Sequence, residues 1–165
     1  MYATYVLSMG NLFTENVQDY PRPPVVEPVD QKLMVRLGGQ IVADSNDGLR
    51  VLETHHAPTY YIPRADVVAD LVAAKGQSYC EWKGIASYFD VHAGTITARK
   101  AAWTYEEPNK EFTVLEGHIA FYAGLMEACY VGADRVVPQP GDFYGGWVTS
   151  NLKGIPKGAR GTEHW

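Results

Sequence analysis

Gly38-Gly39 separates two short runs of strand-forming residues, and this pair constrains the fold more than any other feature of the sequence. Residues 32–37 alternate between polar and apolar side chains, and residues 40–44 continue as a second β-type run directly after the glycines. Both central positions of a two-residue hairpin turn need a positive φ, which glycine adopts without a steric cost. The sequence therefore predicts an antiparallel β-hairpin at this point.

Strand patterns also dominate the rest of the chain. The further predicted strands are residues 49–54, 78–83, 85–92, 95–101, 102–105, 117–122, 125–130 and 135–137. One helix is predicted over residues 63–75, because Pro63 suits a first helical turn, valines and a leucine follow at helical spacing, and Lys75-Gly76 is typical of a helix end. The predicted fold class is mainly β: a compact single domain of antiparallel strands with one short helix.

The chain divides into three regions by composition. Residues 1–31 are predicted to be an N-terminal extension, because several prolines fix φ and remove backbone donors there. Residues 32–137 carry the strand patterns and form the predicted β domain. Residues 138–165 form a C-terminal tail rich in glycine, proline and aromatic residues, which we expect to dock back through Trp147.

Charge and hydropathy limit the partners. The net charge of −5 and the pI near 5.5 argue against a nucleic-acid surface or an anionic-membrane surface, since phosphate binding relies on lysine and arginine. The sequence lacks a charged segment followed by an apolar one at its start, and no apolar run approaches membrane-spanning length. We therefore expect a cytoplasmic protein with a small-molecule ligand, no nucleic acid and no membrane partner, and a homo-oligomer stays open.

Cys80 and Cys129 are the two cysteines of the chain. They do not form a CxxC pair, so zinc ribbons and thioredoxin-type redox motifs are excluded. A disulfide between them stays open, although nothing in the sequence indicates an oxidising compartment.

Motifs between residues 32 and 130 are similar, in order, to those of one protein family. They are Val35-Arg36-Leu37-Gly38-Gly39, Ala43-Asp44-Ser45, Val51-Leu52-Glu53-Thr54, residues 58–67, residues 80–88, Ala101-Ala102-Trp103-Thr104-Tyr105 and Gly117-His118-Ile119-Ala120-Phe121-Tyr122. This region resembles the mostly bacterial family catalogued as domain of unknown function 427, which is also filed under a nucleotidyltransferase-like heading. The resemblance implies a β-tent-like fold, in which two sheets lean together. Some β-tent relatives hold zinc at paired CxxC motifs; this chain lacks those pairs, so no structural zinc is expected, and the cofactor is unknown.

The residues themselves give little support to nucleotidyl transfer. That chemistry generally uses clustered carboxylates for divalent metals and glycines or donors that cradle phosphates. The sequence has neither a P-loop spacing nor an Asp-x-Asp pair. Its nearest acidic cluster, residues 44–47, is typical of a turn, because aspartate and asparagine favour turns for backbone reasons. No metal-binding residue is assigned.

Ionisable side chains among apolar and aromatic neighbours are the catalytic candidates. They are Glu53, Lys83, His118 and Cys80. Lys83 can offset a buried Glu53 or be tuned by burial, and Cys80 can act as a nucleophile with His118 as its base. The structural alternatives are a Glu53–Lys83 ion pair, a core histidine and a cysteine that fills space. His55 and His56 beside Glu53 can bind a metal, but exposed loop histidines fit the pattern better.

Aromatic and polar residues near these candidates are expected to bind a ligand. The assigned residues are Tyr60, Tyr61, Arg64, Ser87, Tyr88, Trp103 and Tyr105. Tyrosine and tryptophan can stack on a planar molecule and donate hydrogen bonds from their edges, and an arginine can bind a carboxylate or phosphate.

Two functions fit these residues. The first is a small-ligand pocket for a planar or anionic, nucleotide-like compound, and whether this pocket is also the active site of an enzyme stays open. The alternative is a non-catalytic module for protein interaction or dimerisation. Aromatic residues that converge in a concave cleft with Glu53 and Lys83 favour the first, and a flat exposed patch favours the second.

Overall fold

The structure is a computed structural model that describes residues 12–141 and 143–165. Its strands are β1 (Glu15–Asn16), β2 (Val25–Pro28), β3 (Leu33–Leu37), β4 (Gln40–Ser45), β5 (Leu49–Leu52), β6 (Thr59–Pro63), β7 (Asp70–Cys80), β8 (Gly84–Ala93), β9 (Ile96–Thr104), β10 (His118–Phe121), β11 (Ala128–Val131), β12 (Asp134–Arg135), β13 (Val137–Pro138), β14 (Trp147–Val148) and β15 (Leu152–Lys153). Short 3-10 turns cover Val17–Asp19, Arg64–Asp66, Lys110–Leu115 and Ala123–Leu125.

Two antiparallel sheets contain most of these strands; in addition, β1 pairs in parallel with β15, and β13 pairs antiparallel with β14. The large sheet has the order β2-β5-β6-β10-β9-β8-β7, and the small sheet has the order β12-β11-β3-β4. A short bridge between Ala43 and Val67 connects β4 of the small sheet to the segment that precedes β7. The prediction of a mainly β, antiparallel single domain is confirmed.

The hairpin predicted at the two glycines is confirmed. Leu37 pairs with Gln40 across the turn, and Gly38 and Gly39 have φ values of 60° and 75°. Along β3 the burial alternates with a period of two, so Leu33, Val35 and Leu37 face the core. A Cβ on Gly38 would lie 2.8 Å from the carbonyl oxygen of Ala93, so this turn also packs closely against the end of β8.

The large sheet has apolar side chains on both faces. One face packs against the small sheet in the main core, to which Val35, Val42 and Cys129 contribute from the small sheet. The opposite face carries a second cluster of buried residues, which includes Tyr61, Trp103, Tyr105, Leu115 and Ala120. Because successive side chains of a strand point to opposite faces, each central strand supplies both clusters.

The helix predicted over residues 63–75 needs correction. Only Arg64–Asp66 form a single 3-10 turn, and Asp70–Cys80 form the edge strand β7. Valine is β-branched and favours strands, so a pattern of valines at helical spacing did not decide the structure. Gly76, with a φ of 93°, lies where the pairing with β8 shifts register, and it marks a β-bulge rather than a helix end.

The regions outside the predicted domain contribute to the same fold. Residues 25–28 form β2, the edge strand that pairs with β5 of the large sheet. The tail docks through Trp147 as expected: its side chain is fully buried, and its indole Nε1 donates a hydrogen bond to the carbonyl of Phe121 at 2.9 Å. In the part of the chain that the structure describes, no helix has the length and apolar character needed to cross a membrane.

Candidate functional site

A cleft of about 430 Å³ lies on the face of the large sheet that points away from the small sheet. Its floor consists of side chains from β5 to β9, and the turn at residues 81–83 and the segment at residues 143–146 form two of its walls. The aromatic residues of this surface, which we call the tyrosine cleft, are Tyr61, Tyr79, Trp82, Tyr88, Trp103, Tyr105, Tyr122, Phe143 and Tyr144.

Trp103 and the glycines opposite it bring the walls of the tyrosine cleft together. The rings of Trp103 and Tyr122 are 4.5 Å apart between centroids. A Cβ on Gly145 would overlap the Trp103 indole, so only glycine allows the chain to pass this close. A Cβ on Gly146 would lie 2.6 Å from the carbonyl oxygen of Ala57. The tail therefore forms a wall that is fitted to the floor of the cleft.

The hydroxyl group of Tyr61 is buried at the base of the cleft. It forms no well-aligned hydrogen bond with the residues that the structure describes, although the Trp103 and Tyr105 side chains lie close enough to act on its pKa, and the Tyr61 side chain is almost fully buried. Burial raises the pKa of Tyr61 and also the pKa values of Tyr105 and Tyr122, so these phenols stay protonated at neutral pH. All three tyrosines line the cleft and can donate hydrogen bonds, and the Tyr61 hydroxyl is the most deeply buried of them.

On one side of the cleft, a hydrogen bond from Gln139 determines which ring nitrogen of a neutral His56 carries the proton. The Gln139 Oε1 atom accepts a hydrogen bond from the Ala57 amide at 2.9 Å, and its Nε2 atom donates to the carbonyl of Lys157 at 2.8 Å. This orientation directs an N–H of Gln139 at the Nδ1 atom of His56, 3.3 Å away, which must therefore be unprotonated. The proton of a neutral His56 is then on Nε2, which lies 3.8 Å from an oxygen of Glu53.

Burial is the largest cause that lowers the pKa of His56, and the positive charges of Lys157 and Lys83 add to it, giving a value of about 4. The contact between His56 and Glu53 is thus a contact between a neutral imidazole and a carboxylate at neutral pH, although its distance fits an ion pair. The one lone pair of the neutral imidazole, on Nδ1, accepts the hydrogen bond from Gln139, and the Nε2 atom lies 3.8 Å from Glu53, beyond hydrogen-bond distance.

The sequence profile of one family matches residues 25–132: the domain of unknown function DUF427, whose profile also has a nucleotidyltransferase-type name. The chain belongs to this family. No curated protein matches the chain. The DUF427 match includes the floor of the tyrosine cleft and the turn at residues 81–83, whereas the wall at residues 143–146 lies beyond it. The sequence resemblance to this family is confirmed.

Nucleotidyl transfer generally uses clustered carboxylates that hold divalent metal ions. Among residues 12–141 and 143–165, no three histidine, cysteine, aspartate or glutamate side chains are close enough to hold a metal ion. The expectation that the protein has no structural zinc stays a prediction.

The structure brings seven of the predicted residues together in this DUF427 protein. The cleft is lined by Glu53, Tyr61, Cys80, Lys83, Tyr88, Trp103 and Tyr105. It is not lined by Tyr60, Arg64, Ser87 or His118. The two sets differ mainly in the face of the sheet to which each side chain points.

Tyr60 and Ser87 follow strand alternation away from the cleft. Tyr60 neighbours Tyr61 in β6, so its ring enters the main core and stacks on Trp147 at 5.1 Å. Ser87 neighbours Tyr88 in β8, and its hydroxyl accepts a hydrogen bond from the Gln77 side chain at 3.3 Å.

Arg64 and His118 also lie outside the cleft. The Arg64 guanidinium lies 5.1 Å from the centre of the Phe89 ring, on the core side of the sheet. The Nδ1 atom of His118 lies 3.0 Å from the carbonyl oxygen of Glu116. Cys80 lines the cleft without His118, so the predicted pair of thiol and base is not assembled in this structure.

The predicted pair of Glu53 and Lys83 needs a similar correction. The nearest partner of Glu53 is His56, and the described residues include no ion pair between Glu53 and Lys83 within 4.0 Å. The Lys83 ammonium instead lies 5.8 Å from the centre of the Tyr105 ring. Both residues line the cleft, so an acceptor and a cation face the same cavity from different positions.

Sequence reasoning missed several cleft residues. Tyr122 lies two positions after Ala120 and therefore faces the same side of the sheet, so strand alternation could have predicted that it lines the cleft. Tyr144 belongs to an aromatic and glycine-rich stretch that was interpreted as tail. Gln139 contacts Ala57 across 82 positions of sequence, and no local pattern indicates such a contact.

Proposed function

We propose that this protein binds a small planar molecule with polar edges in the tyrosine cleft. The supporting observation is the buried hydroxyl of Tyr61 at the base of an aromatic cavity, which forms no well-aligned hydrogen bond with the described residues although Trp103 and Tyr105 lie beside it. A buried polar group without a hydrogen bond costs about 1–3 kcal/mol. A ligand that supplies an acceptor to this hydroxyl would offset that cost.

Shape and chemistry of the cleft both support a planar ligand. A volume of about 430 Å³ lies within the usual range of small-molecule sites. Trp103 and Tyr122 offer ring faces on which a flat molecule can stack. The protonated phenols donate hydrogen bonds to ring nitrogens or carbonyl oxygens, and Glu53 accepts hydrogen bonds from amino or hydroxyl groups. The convergence of aromatic residues in a concave site favours this function over an interaction surface.

The proposal covers binding and leaves the reaction open. The one lone pair of neutral His56 accepts the hydrogen bond from Gln139, so His56 does not provide a general base. Cys80 lines the cleft, but a nucleophilic thiol needs an activating base within hydrogen-bond distance. The nucleotidyltransferase-type name of the family suggests nucleotide-like compounds as the first ligands to examine.

A thermal-shift panel of nucleosides, flavins, pterins and aromatic acids tests the proposal. A compound that binds only the folded protein must raise the unfolding midpoint, and at 100 times Kd the gain is about 2.7 kcal/mol. We expect at least one planar compound to do so, and Tyr61→Phe to weaken its binding about 5- to 15-fold through the loss of one hydrogen bond.

Tyr130→Phe is the matched control, because Tyr130 lies in β11 of the small sheet and outside the cleft. Its affinity for the same compound should equal that of the wild-type protein. A panel in which no planar compound stabilises the protein, or in which both variants bind as tightly as wild type, would contradict the proposed site.

A further inference from the structure

A second cavity of about 740 Å³ adjoins the tyrosine cleft. The two share Ser78, Tyr88, Tyr122 and the segment at residues 144–146, so they are neighbouring compartments of one depression. The Ser78 and Tyr88 hydroxyls are 2.7 Å apart at this junction. The tyrosine cleft is mainly aromatic, whereas the second cavity is lined by Arg99 and Lys100.

Lys100 reaches this cavity because of an unusual backbone conformation. It has a φ of 48°, which is rare for a residue with a Cβ, and its amide donates a hydrogen bond to the Asp90 carboxylate at 2.9 Å. The pairing of β8 with β9 shifts register at this position. Bulges of this kind redirect side chains and occur often beside functional sites. Strained backbone of this type also clusters at such sites.

Gly76 makes room for the redirected side chain. The Lys100 ammonium lies 3.3 Å from the position that a Cβ of Gly76 would occupy. Gly76 itself belongs to the bulge in β7 on the other side of β8. Two bulges on neighbouring strand pairs therefore place a cation next to exposed backbone, at the edge of a cavity that continues into the tyrosine cleft.

We propose that the second cavity binds an anionic group, a phosphate or a carboxylate, that is attached to the planar ring held in the tyrosine cleft. This inference rests on the proposed function of the cleft. Among residues 12–141 and 143–165, no aspartate or glutamate lines the cavity. The charged residues that line it in this part of the chain, Arg99 and Lys100, are both basic. Arginine can hold a phosphate or carboxylate through two hydrogen bonds, and lysine supplies a point charge. The Ser78 and Tyr88 hydroxyls lie where a polar linker between ring and anion would pass.

Matched pairs of neutral and phosphorylated compounds test this inference. The probes are nucleosides with their 5′-monophosphates, riboflavin with its 5′-phosphate, and pyridoxine with its 5′-phosphate, titrated by calorimetry at low ionic strength. For at least one pair we expect the phosphorylated compound to bind about 10-fold more tightly or better, and the gain to shrink as salt is added.

Lys100→Asn removes the ammonium and keeps the left-handed backbone, which asparagine tolerates. We expect it to lower the affinity for the phosphorylated compound about 10-fold and to leave the affinity for the neutral compound unchanged. Lys75→Asn makes the same change of charge one position before Gly76, outside the cavity, and should leave both affinities unchanged. Arg99→Gln provides an independent test if the Lys100 variant folds poorly.

The outcomes separate the two proposals. If every neutral compound that binds does so as tightly as its phosphorylated partner, the anion site is overturned and the tyrosine cleft stays intact. If the phosphorylated compound still binds more tightly than the neutral one in both Lys100→Asn and Arg99→Gln, the anion site is overturned as well, because another group would then hold the anion. If no member of any pair binds, both the cleft and the anion site are contradicted.

Discussion

At the scale of single residues, burial decides which groups in the cleft carry charge. The buried phenols stay protonated, and His56 stays neutral, because charged forms of these side chains lose hydration that the cleft does not replace. Glu53, Glu81 and Lys83 are the acidic and basic residues that line the cleft. A ligand is therefore recognised mainly by uncharged donors, with two acidic side chains and one basic side chain beside them.

The lowered pKa of His56 predicts how stability depends on pH. Its value is about 4 in the folded protein, against an ordinary value near 6.5, so the unfolded chain binds this proton more readily. The contribution of His56 to stability is fully present above pH 6.5 and is lost as the pH falls towards 4. The full loss is roughly 3 kcal/mol.

Urea unfolding of the wild-type protein and of His56→Gln at pH 7 and pH 4.5 measures this contribution. Glutamine keeps a polar side chain at this position but does not titrate, so the variant should lose clearly less stability than wild type between the two pH values. Equal losses in the two proteins would show that His56 is not buried as the structure places it.

Strand alternation and composition predicted part of the lining of the cleft. Tyr61, Tyr88 and Trp103 line it, whereas the neighbours of Tyr61 in β6 and of Tyr88 in β8 point to the other face of the sheet. That exclusion follows from alternation once the strands are known. The partnership of His56 with Gln139 could not be predicted, because it depends on how the tail returns to the sheet.

At the scale of elements, tight turns and bulges set the shape of the two cavities. The hairpin at residues 38–39 could be predicted from sequence because its glycines meet a known backbone requirement. The strand β7 could not, because the valines at positions 67, 68 and 72 fit both a helix and a strand, and the pairing of β7 with β8 decided between them. The bulge at Gly76 was consequently interpreted as a helix end.

The two glycines of the hairpin make a matched pair of substitutions. Gly39→Ala introduces a Cβ into open space, so its cost is that of the left-handed conformation alone, about 1–2 kcal/mol. Gly38→Ala adds a close contact with the Ala93 carbonyl and should destabilise the protein by at least about 1 kcal/mol more. Chemical denaturation of both variants gives this difference. Equal stabilities would contradict the packing of the turn against β8.

At the scale of the whole molecule, the large sheet separates a packed core from an open depression. The main core fills the side that faces the small sheet, and the tyrosine cleft and second cavity occupy the other side. The tail connects the two sides, since Trp147 enters the core while residues 143–146 line the cleft. The return of the tail to the large sheet brings together residues that are far apart in sequence. The complete cleft was therefore not predictable from local patterns.

The tryptophans report on this division of the molecule. Trp82 and Trp103 line the tyrosine cleft, whereas Trp147 is fully buried in the main core. Trp165 lies against His55, with ring centroids 4.4 Å apart, outside the cleft. A protein labelled with 5-fluorotryptophan therefore carries two probes in the proposed site and an internal control in the core.

Fluorine NMR of this labelled protein during titration with a planar compound from the thermal-shift panel tests the central claim most directly. Single substitutions of each tryptophan by phenylalanine assign the signals. We predict that the Trp103 and Trp82 signals shift with a common saturation curve while the Trp147 signal stays in place. A saturable titration that moves only Trp147 or Trp165, or that leaves Trp103 unchanged, would contradict ligand binding in the tyrosine cleft.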